Sequence, residues 1–574
     1  MNILTGSVTA DATYYYVFIS VVRFLAPVIV SVLLFRCIKP LLTFRREPEI
    51  WAWLELEDGT DIPITHWENV IGSSKRSDVV LDAANVEKTH GVLTRYDDGS
   101  WTIANADSRN GVFVNDKAVT IHPIRSKDVI SIGDVRMRLQ PISAKQEQKL
   151  AQLRTKASSV MTTFANLLLL TVFQGLCYLG YLLGSDIQYA QTLLFGFGGI
   201  AVCQWALFLF YVCIQRNSFE IETLAFFLST MGMAAIAATV PDEAVKQLIS
   251  LFAGVILFLV VGIILRDLGK AKKMRYVAAA AGLGLLAITL LFGVEFNGAK
   301  AWLFIGSFSI QPSELAKICF VFAGVSTMDR IVTRRNLFLF IAYSVAACGL
   351  LALMNDFGTA LIFFCAFLVI AYMRSGSVGT VALAITSLVL AGVVLLSVAP
   401  HALARFDNWR HIWEDPLDGG YQQTRALMCM AAGGFLGLGP GRGKAGSSVY
   451  AADSDMVMAT LSEEWGLYMF FLLIICVIAF AVFAIRSASV GRSSFYTIGS
   501  CAAASIFLIQ AILNALGTVD VVPLTGVTFP FVSNGGSSMI AVWGLLAFVK
   551  AADTRQNASF AVKLTKSRGD YVDE

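Results

Sequence analysis

The sequence predicts a polytopic α-helical membrane protein with one all-β domain inserted after its first transmembrane helix. Three observations lead there. The 574 residues are 56% hydrophobic and 15% charged, with mean hydropathy +0.67, which is too apolar for a soluble chain of this size. About thirteen apolar runs approach the roughly 20 residues needed to cross a hydrocarbon core. They centre near residues 25, 172, 202, 230, 255, 284, 320, 345, 365, 389, 476, 506 and 543. A single hydrophilic island, residues 47–142, interrupts them.

Taken in order, residues 1–46 hold the first helix and a basic juxtamembrane segment. The run from Tyr14 to Phe35 lacks a basic leader and a small-residue cleavage site, so a retained helix is expected rather than a signal peptide. The island alternates short β-rich runs, WAWLEL, VVLD, GVLTRY, WTIAN, GVFVN, VISIG and RMRLQ, with turns such as Asp58-Gly59 and Asp98-Gly99, the pattern of a sandwich. Residues 143–157 read as a charged helical linker and 158–218 as two accessory helices. The main membrane domain follows at 219–551, and 552–574 form a tail.

Lys and Arg accumulate on the cytoplasmic side of short loops. The clusters at Arg36–Arg46, Lys145–Lys156, Arg216, Arg266–Arg275, Arg330–Arg335, Arg374 and Arg486–Arg492 alternate correctly with these crossings. They place the N-terminus outside, and the island and C-terminus inside. The net charge of +3 is small and dispersed, which excludes a nucleic-acid partner. The ten cysteines, Cys177, Cys203 and Cys319 among them, fall almost entirely in apolar runs without disulfide or zinc spacing and read as small core residues.

One outside loop breaks the charge rule. Between His401 and Ser454 it carries Arg405, Arg410, Arg425, Arg442 and Lys444, cations suited to an anionic headgroup. It leads into DSDMVMATLSEEWG, which puts Asp455 at the mouth of a membrane helix, where a carboxylate is a functional hypothesis by default. Ser454 is placed to cap that helix, with Asp455 in its first turn, where the helix dipole favours the ionised form. Glu463 and Glu464, two turns on, read as structural, as do Glu314 and Lys317, which share a helix face and neutralise each other. Asp356 either caps the next span or contacts substrate. The NGGSS run at 534–538 offers backbone N–H groups at a helix start, or simply close packing.

Four stretches carry a family resemblance: NGAKAWLFIGSFSIQPSELAK at 297–317, NDFGTAL at 355–361, the 405–467 region and LTGVTFPFVSNGGSS at 524–538. From Ile221 to Lys550 the chain resembles the SEDS family, the RodA and FtsW type, whose core has ten helices. The resemblance implies a peptidoglycan glycosyltransferase that polymerises lipid II at the outer face beside a class B penicillin-binding protein. It makes Asp455 the candidate general base. The implied substrate contacts are Arg405, Arg410, Gln422, Arg442, Lys444, Lys300, Trp302, Asp356, Ser533, Gly535, Gly536 and Ser537. Asp453, where the family pattern often has histidine, puts a second carboxylate beside Asp455. The pair would either raise one pKa or bind a divalent cation, Mg or Mn. Two other function classes fit the residues, a lipid II flippase and a nonenzymatic scaffold for the penicillin-binding protein.

Within the island, Gly72, His90, Ser108-Arg109-Asn110-Gly111 and Asn115 resemble the forkhead-associated (FHA) domain, which implies docking of a cytoplasmic protein or phosphoprotein. Lys75, Arg76, Lys88, His90, Ser108, Arg109 and Asn110 are the docking candidates. Ser73 and Glu87 replace the family's phosphate-binding arginine and serine, and His90 and Asn110 suit ordering the loops.

Overall fold

The computed structural model describes residues 4–43, 49–75, 77–96, 99–106, 108–184, 187–296, 298–306, 308–328, 334–376, 378–398, 403, 406–491 and 493–561. Each apolar run of the sequence forms a helix. Among the described residues, nine helices are long and apolar enough to cross a membrane, and shorter apolar ones include Leu337–Leu353 and Gly536–Ala551. Glu220–Thr239 is buried on every side, as expected of a helix apolar around its whole circumference, and occupies the bundle centre. Around it, Ala244–Leu265 packs on Gly536–Ala551, Arg275–Phe292 on Pro312–Met328, and Val457–Ala488 on Ser494–Thr518. The first helix, Leu4–Leu42, lies against Val160–Gly184 and Val457–Ala488.

Among the described residues the island is an all-β sandwich of eleven strands, β1 (Ala52–Leu56), β2 (Asp61–Ile64), β3 (Glu68–Gly72), β4 (Val79–Val80), β5 (Gly91–Arg95), β6 (Trp101–Asn105), β7 (Val112–Val114), β8 (Lys117–Val119), β9 (Ile121–Ile124), β10 (Val129–Ile132) and β11 (Val135–Pro141), in two sheets ordered β2-β1-β11-β10-β7-β8 and β4-β3-β5-β6-β9. Of these, only β3 and β4 pair in parallel. Alternating inward residues such as Leu54, Leu93, Ile103, Ile130 and Leu139 fill the space between the sheets. Ser143 and Gln146 form a capping box that starts the linker helix Ala144–Leu153.

Polar contacts seat the sandwich on one end of the bundle. Glu68 accepts hydrogen bonds from Ser493 Oγ at 2.8 Å and from the Ser494 N–H at 2.9 Å, at the N-terminus of Ser494–Thr518, where the dipole favours a carboxylate. Arg95 lies over Trp51 and Trp67 and pairs with Glu147 of the linker at 3.1 Å. At the same end, a buried ionic knot ties residues 155–158 and the first turn of Glu220–Thr239 to residues 550–556. Lys550 pairs with Glu222 at 3.1 Å, and Arg555 with Asp553 at 2.7 Å and Glu220 at 3.3 Å. Ser158 donates to Glu220, and the Gln556 N–H donates to Thr155 O.

Burial pushes the Asp553 carboxyl up, but the charge and hydrogen bonds of Arg555 together with the charge of Lys550 outweigh it and hold the group below the usual carboxylate range. A depressed carboxylate stabilises the fold above its unfolded pKa of about 3.9, and that contribution is lost as pH falls through the lower folded value. Replacing Arg555 leaves Asp553 and Glu220 buried without their cation. Arg555→Met is therefore expected to cost about 3–5 kcal/mol, read as a lowered thermal midpoint of the detergent-purified protein. The wild type should lose midpoint on acidification below about pH 4.

Candidate active site

At the end of the bundle away from the sandwich, Asp455 sits in a turn rather than in a helix. The helix expected to be capped by Ser454, with Asp455 in its first turn, starts instead at Val457, and Met456 occupies its N-cap position without a side-chain cap bond. Ser454 does not cap because Ala451, at φ 54°, turns the chain so that its carbonyl accepts from the Ser454 and Met456 N–H groups. Thr460 Oγ1 donates back to Ala452 O at 2.6 Å.

Three side chains from later in the chain stitch this turn in place. Asn514, buried near the end of Ser494–Thr518, donates to Asp455 O at 2.9 Å and Val527 O at 2.8 Å. Ser533 Oγ donates to Ser454 O at 2.7 Å and accepts from the Phe529 N–H at 2.8 Å. The Asn534 N–H donates to Asp453 O at 2.8 Å, and its side-chain amide lies 2.7 Å from Asp453 Oδ2 and 2.8 Å from Glu243 Oε2. The half-buried Asp455 carboxylate faces Gly526, where an added Cβ would lie 3.4 Å from Oδ2. The positive φ of 67° at Gly526 is itself a reason for glycine.

A divalent cation would draw on Asp453, Asp455 and substrate oxygens, a ligand count that magnesium sites use. One Asp453 oxygen is already held by Asn534, and the described residues contain no group of three or more His, Cys, Asp or Glu able to hold a metal. The donor set is incomplete on its own.

The other family motifs converge on the same surface. Gly358 packs beneath the 525–527 turn, its Cβ position 2.9 Å from Thr525 O. Asp356 caps Phe357–Ser375 through the Thr359 N–H at 3.1 Å, with Gln311 Nε2 3.4 Å from its other oxygen. Burial pushes the Asp356 carboxyl up, against the Thr359 bonds and the charge of Lys317. Lys317 and Glu314 form a buried pair at 2.7 Å, as the helix spacing predicts. Lys300 and Trp302 lie on the strand Ala299–Ile305, and the Lys300 N–H donates to Met354 O beside Asp356. Ser537 accepts from the Gln311 N–H at 3.1 Å, and Gly535 and Gly536 open the helix Gly536–Ala551. Ser533 and Ser537 thus hold neighbouring segments together. Thr525 Oγ1, Glu314 Oε2 and Asn514 Oδ1 are buried without a partner near this surface.

The glycine-rich segment forms a re-entrant loop that the sequence reading did not resolve. After the short helix Tyr421–Gly433, it meets the helix Val457–Ala488 where Gly466, at φ 83°, breaks the latter. Leu438 and Gly439 donate to the Glu463 and Glu464 carbonyls, and Leu467 donates to Gly434 O. Glu463 accepts from the Lys444 and Ala445 N–H groups, both at 2.8 Å, and Glu464 from Gly443 N–H at 3.1 Å and Tyr181 OH at 2.6 Å. These loop amides are therefore occupied by the protein's own carboxylates. The side chains of Arg442 and Lys444 point outward.

The remaining cations of this end flank it. Arg410 lies over Trp409 and its N–H donates to Asp520, Arg425 lies over Tyr421, and Gln422 donates to Tyr450 O at 3.0 Å. Arg410, Arg425, Arg442 and Lys444 make no ion pair among the described residues. Arg405 lies outside those residues. Asn514, Glu243 and Tyr181 went unnoticed in the sequence. Their signal was a polar side chain at the edge of an apolar run, which many helices share.

In the sandwich, the buried His90 accepts from the Glu87 N–H at Nδ1 and lies 2.8 Å from Gly111 O at Nε2, which assigns the proton to Nε2. Asn110 donates to Asn85 O at 2.8 Å, and Ser108 donates to Asn105 Oδ1, so all three side chains order the apical loops. Glu87 Oε1 accepts the Arg109 N–H at 2.6 Å. Lys75, Lys88 and Arg109 are exposed around it, and Arg76 lies outside the described residues.

Residues 194–558 match the family model described as cell cycle protein, that of FtsW, RodA and SpoVE, and residues 69–133 match that of the FHA domain. The peptidoglycan glycosyltransferase RodA of Mycobacterium tuberculosis is 30% identical over 326 residues, 54% of this chain and 69% of the relative. FtsW of Wigglesworthia glossinidia brevipalpis is 29% identical over 309 residues, covering 52% and 80%. A chain from a solved peptidoglycan synthase complex is similar at 24% identity, covering 58% of this chain and 96% of that one, with TM-score 0.49.

Removing the Glu463 carboxylate leaves two buried amides unpaired, at about 1–3 kcal/mol each. Glu463→Leu should lower the thermal midpoint clearly more than Glu463→Gln, which keeps one acceptor oxygen. Equal shifts in the two variants would contradict this account of the loop.

Proposed function

The chain belongs to the cell cycle protein family of FtsW, RodA and SpoVE, and we propose that it is a peptidoglycan glycosyltransferase that polymerises lipid II, with Asp455 as general base. The observation that carries the assignment of the base is the stitched turn. Asp455 is held at a fixed place, half-exposed, on the end of the bundle that also carries Arg425, Arg442 and Lys444, which form no ion pair among the described residues.

In this reading a sugar hydroxyl gives its proton to the Asp455 carboxylate as its oxygen attacks the anomeric carbon of a second lipid-linked saccharide. The bond to the lipid pyrophosphate breaks, and the electron pair leaves with it. Arg442, Lys444 and Arg410 balance the charge that develops on the departing pyrophosphate, which a hydroxyl–carboxylate pair cannot do. Lys300, Trp302, Asp356 and Gln422 border the space for the saccharides.

The basic loops support an orientation with the N-terminus outside, the FHA domain and C-terminus in the cytoplasm, and Asp455 at the outer face of the membrane. A class B penicillin-binding protein is the partner that the family implies on that face. At the FHA domain the Glu87 carboxylate already takes the Arg109 amide. Docking of a cytoplasmic protein there rests on the exposed Lys75, Lys88 and Arg109, with phosphate a possible rather than obligatory part of the ligand.

Purified protein given labelled lipid II tests the base. Asp455→Asn should lower polymer formation by about 10²–10⁴-fold while the protein stays folded. Undiminished polymer would reject Asp455. Lipid II crossing liposomes without polymer would indicate a transporter, and neither activity with partner binding intact a scaffold. A pull-down on the full-length protein, with and without phosphatase treatment of the lysate, tests the docking site. Retention of the same partner after treatment is the expected result.

A further inference from the structure

The first helix carries a cation that the described residues do not neutralise. Arg23 lies within the apolar stretch Val17–Phe35, its Nε is buried without a hydrogen-bond partner, and it joins no ion pair among the described residues. Two turns before it on the same face, Tyr16 lies under the Arg442 guanidinium, 5.3 Å from ring centroid to cation. The loop that delivers Arg442 rests on this helix. A Cβ at Gly439 would be 2.2 Å from Ile19 Cγ2 and 3.7 Å from Arg23 Cγ, and Gly441 lies against Gly184 at the end of Val160–Gly184. Beside the two cations runs an open, almost wholly apolar groove lined by Tyr16, Val17, Val21, Phe24 and Val28.

We propose that this groove on the first helix holds the chain of a polyprenyl pyrophosphate lipid, with Arg23 and Arg442 on its phosphates. An arginine at membrane depth without a protein acceptor is costly until an anion reaches it, and the anion available at that depth is a lipid phosphate. Guanidinium groups bind phosphate oxygens in pairs. Each guanidinium is suited to grip one phosphate, so two cations beside the groove suit a headgroup with two phosphates better than one with a single phosphate. The same loop continues to the Gly443–Ala445 amides held by Glu463 and Glu464, on the helix segment that begins just after Asp455. The groove therefore leads toward the reacting end. The helix lies outside residues 194–558, the part that matches the family, whereas Arg442 lies within it, so the site joins an added helix to the family domain.

The choice of lipid rests on the polymerase reading, and a binding measurement separates the two. Native mass spectrometry of the full-length protein in detergent would be run with equal polyprenyl pyrophosphate and phosphatidylglycerol, on wild type, Asp455→Asn, Arg23→Gln and Arg23→Lys. Wild type and Asp455→Asn should both retain the polyprenyl lipid preferentially, whether or not polymer forms in a parallel assay. Arg23→Gln should reduce that retention at least about tenfold with an unchanged thermal midpoint, and Arg23→Lys should recover part of it. A photoreactive residue in place of Phe24 should crosslink to the polyprenyl chain. Equal retention of phosphatidylglycerol, or retention indifferent to Arg23, would overturn the proposal. Should Arg23→Gln fold poorly, the Phe24 crosslink in otherwise wild-type protein decides, and its absence would also overturn it.

Discussion

A carboxylate that is to act as a base at a membrane edge has to be held in one place, yet Asp455 sits on a turn, the most pliable kind of backbone. The buried Asn514 amide meets that constraint by donating to two carbonyls at once, those of Asp455 and Val527. It joins the turn that carries the carboxylate to the turn that faces it. Ser533 and Asn534 add bonds to the two preceding residues, so that three consecutive positions of the turn are fixed by segments later in the chain. The motifs at 355–361 and 524–538, distant in sequence, matter to the site because they build the other wall of this arrangement.

Charge is managed differently at the two ends of the bundle. At the sandwich end, Glu220, Glu222, Asp553, Lys550 and Arg555 are buried and mutually satisfied, which suits a structural knot. At the other end, Glu463 and Glu464 are satisfied by backbone amides, leaving the neighbouring Arg442 and Lys444 without an acidic partner among the described residues. Arg442 and Lys444 are left for other anions because peptide N–H groups, rather than cationic side chains, hold the two glutamates.

Much of the architecture was legible in the sequence because it rests on short-range patterns. Hydropathy located each apolar helix, and period-two alternation with Asp-Gly turns located the sandwich. Helix spacing paired Glu314 with Lys317 and assigned Glu463 and Glu464 to the interior. The misreadings concern backbone geometry that composition does not encode. Ser454 looks like a cap, but the left-handed Ala451 moves the helix start to Val457. The break at Gly466 lies inside an apolar run that hydropathy reads as continuous. Asn514 was silent because its importance comes from two carbonyls brought to it by tertiary structure.

One span has a double attachment. Ser494–Thr518 begins under Glu68 of the FHA domain and, about 30 Å along its axis, presents Asn514 to the Asp455 turn. A helix is stiff lengthwise, so the Glu68 contact and the Asp455 turn are joined through a single rigid element.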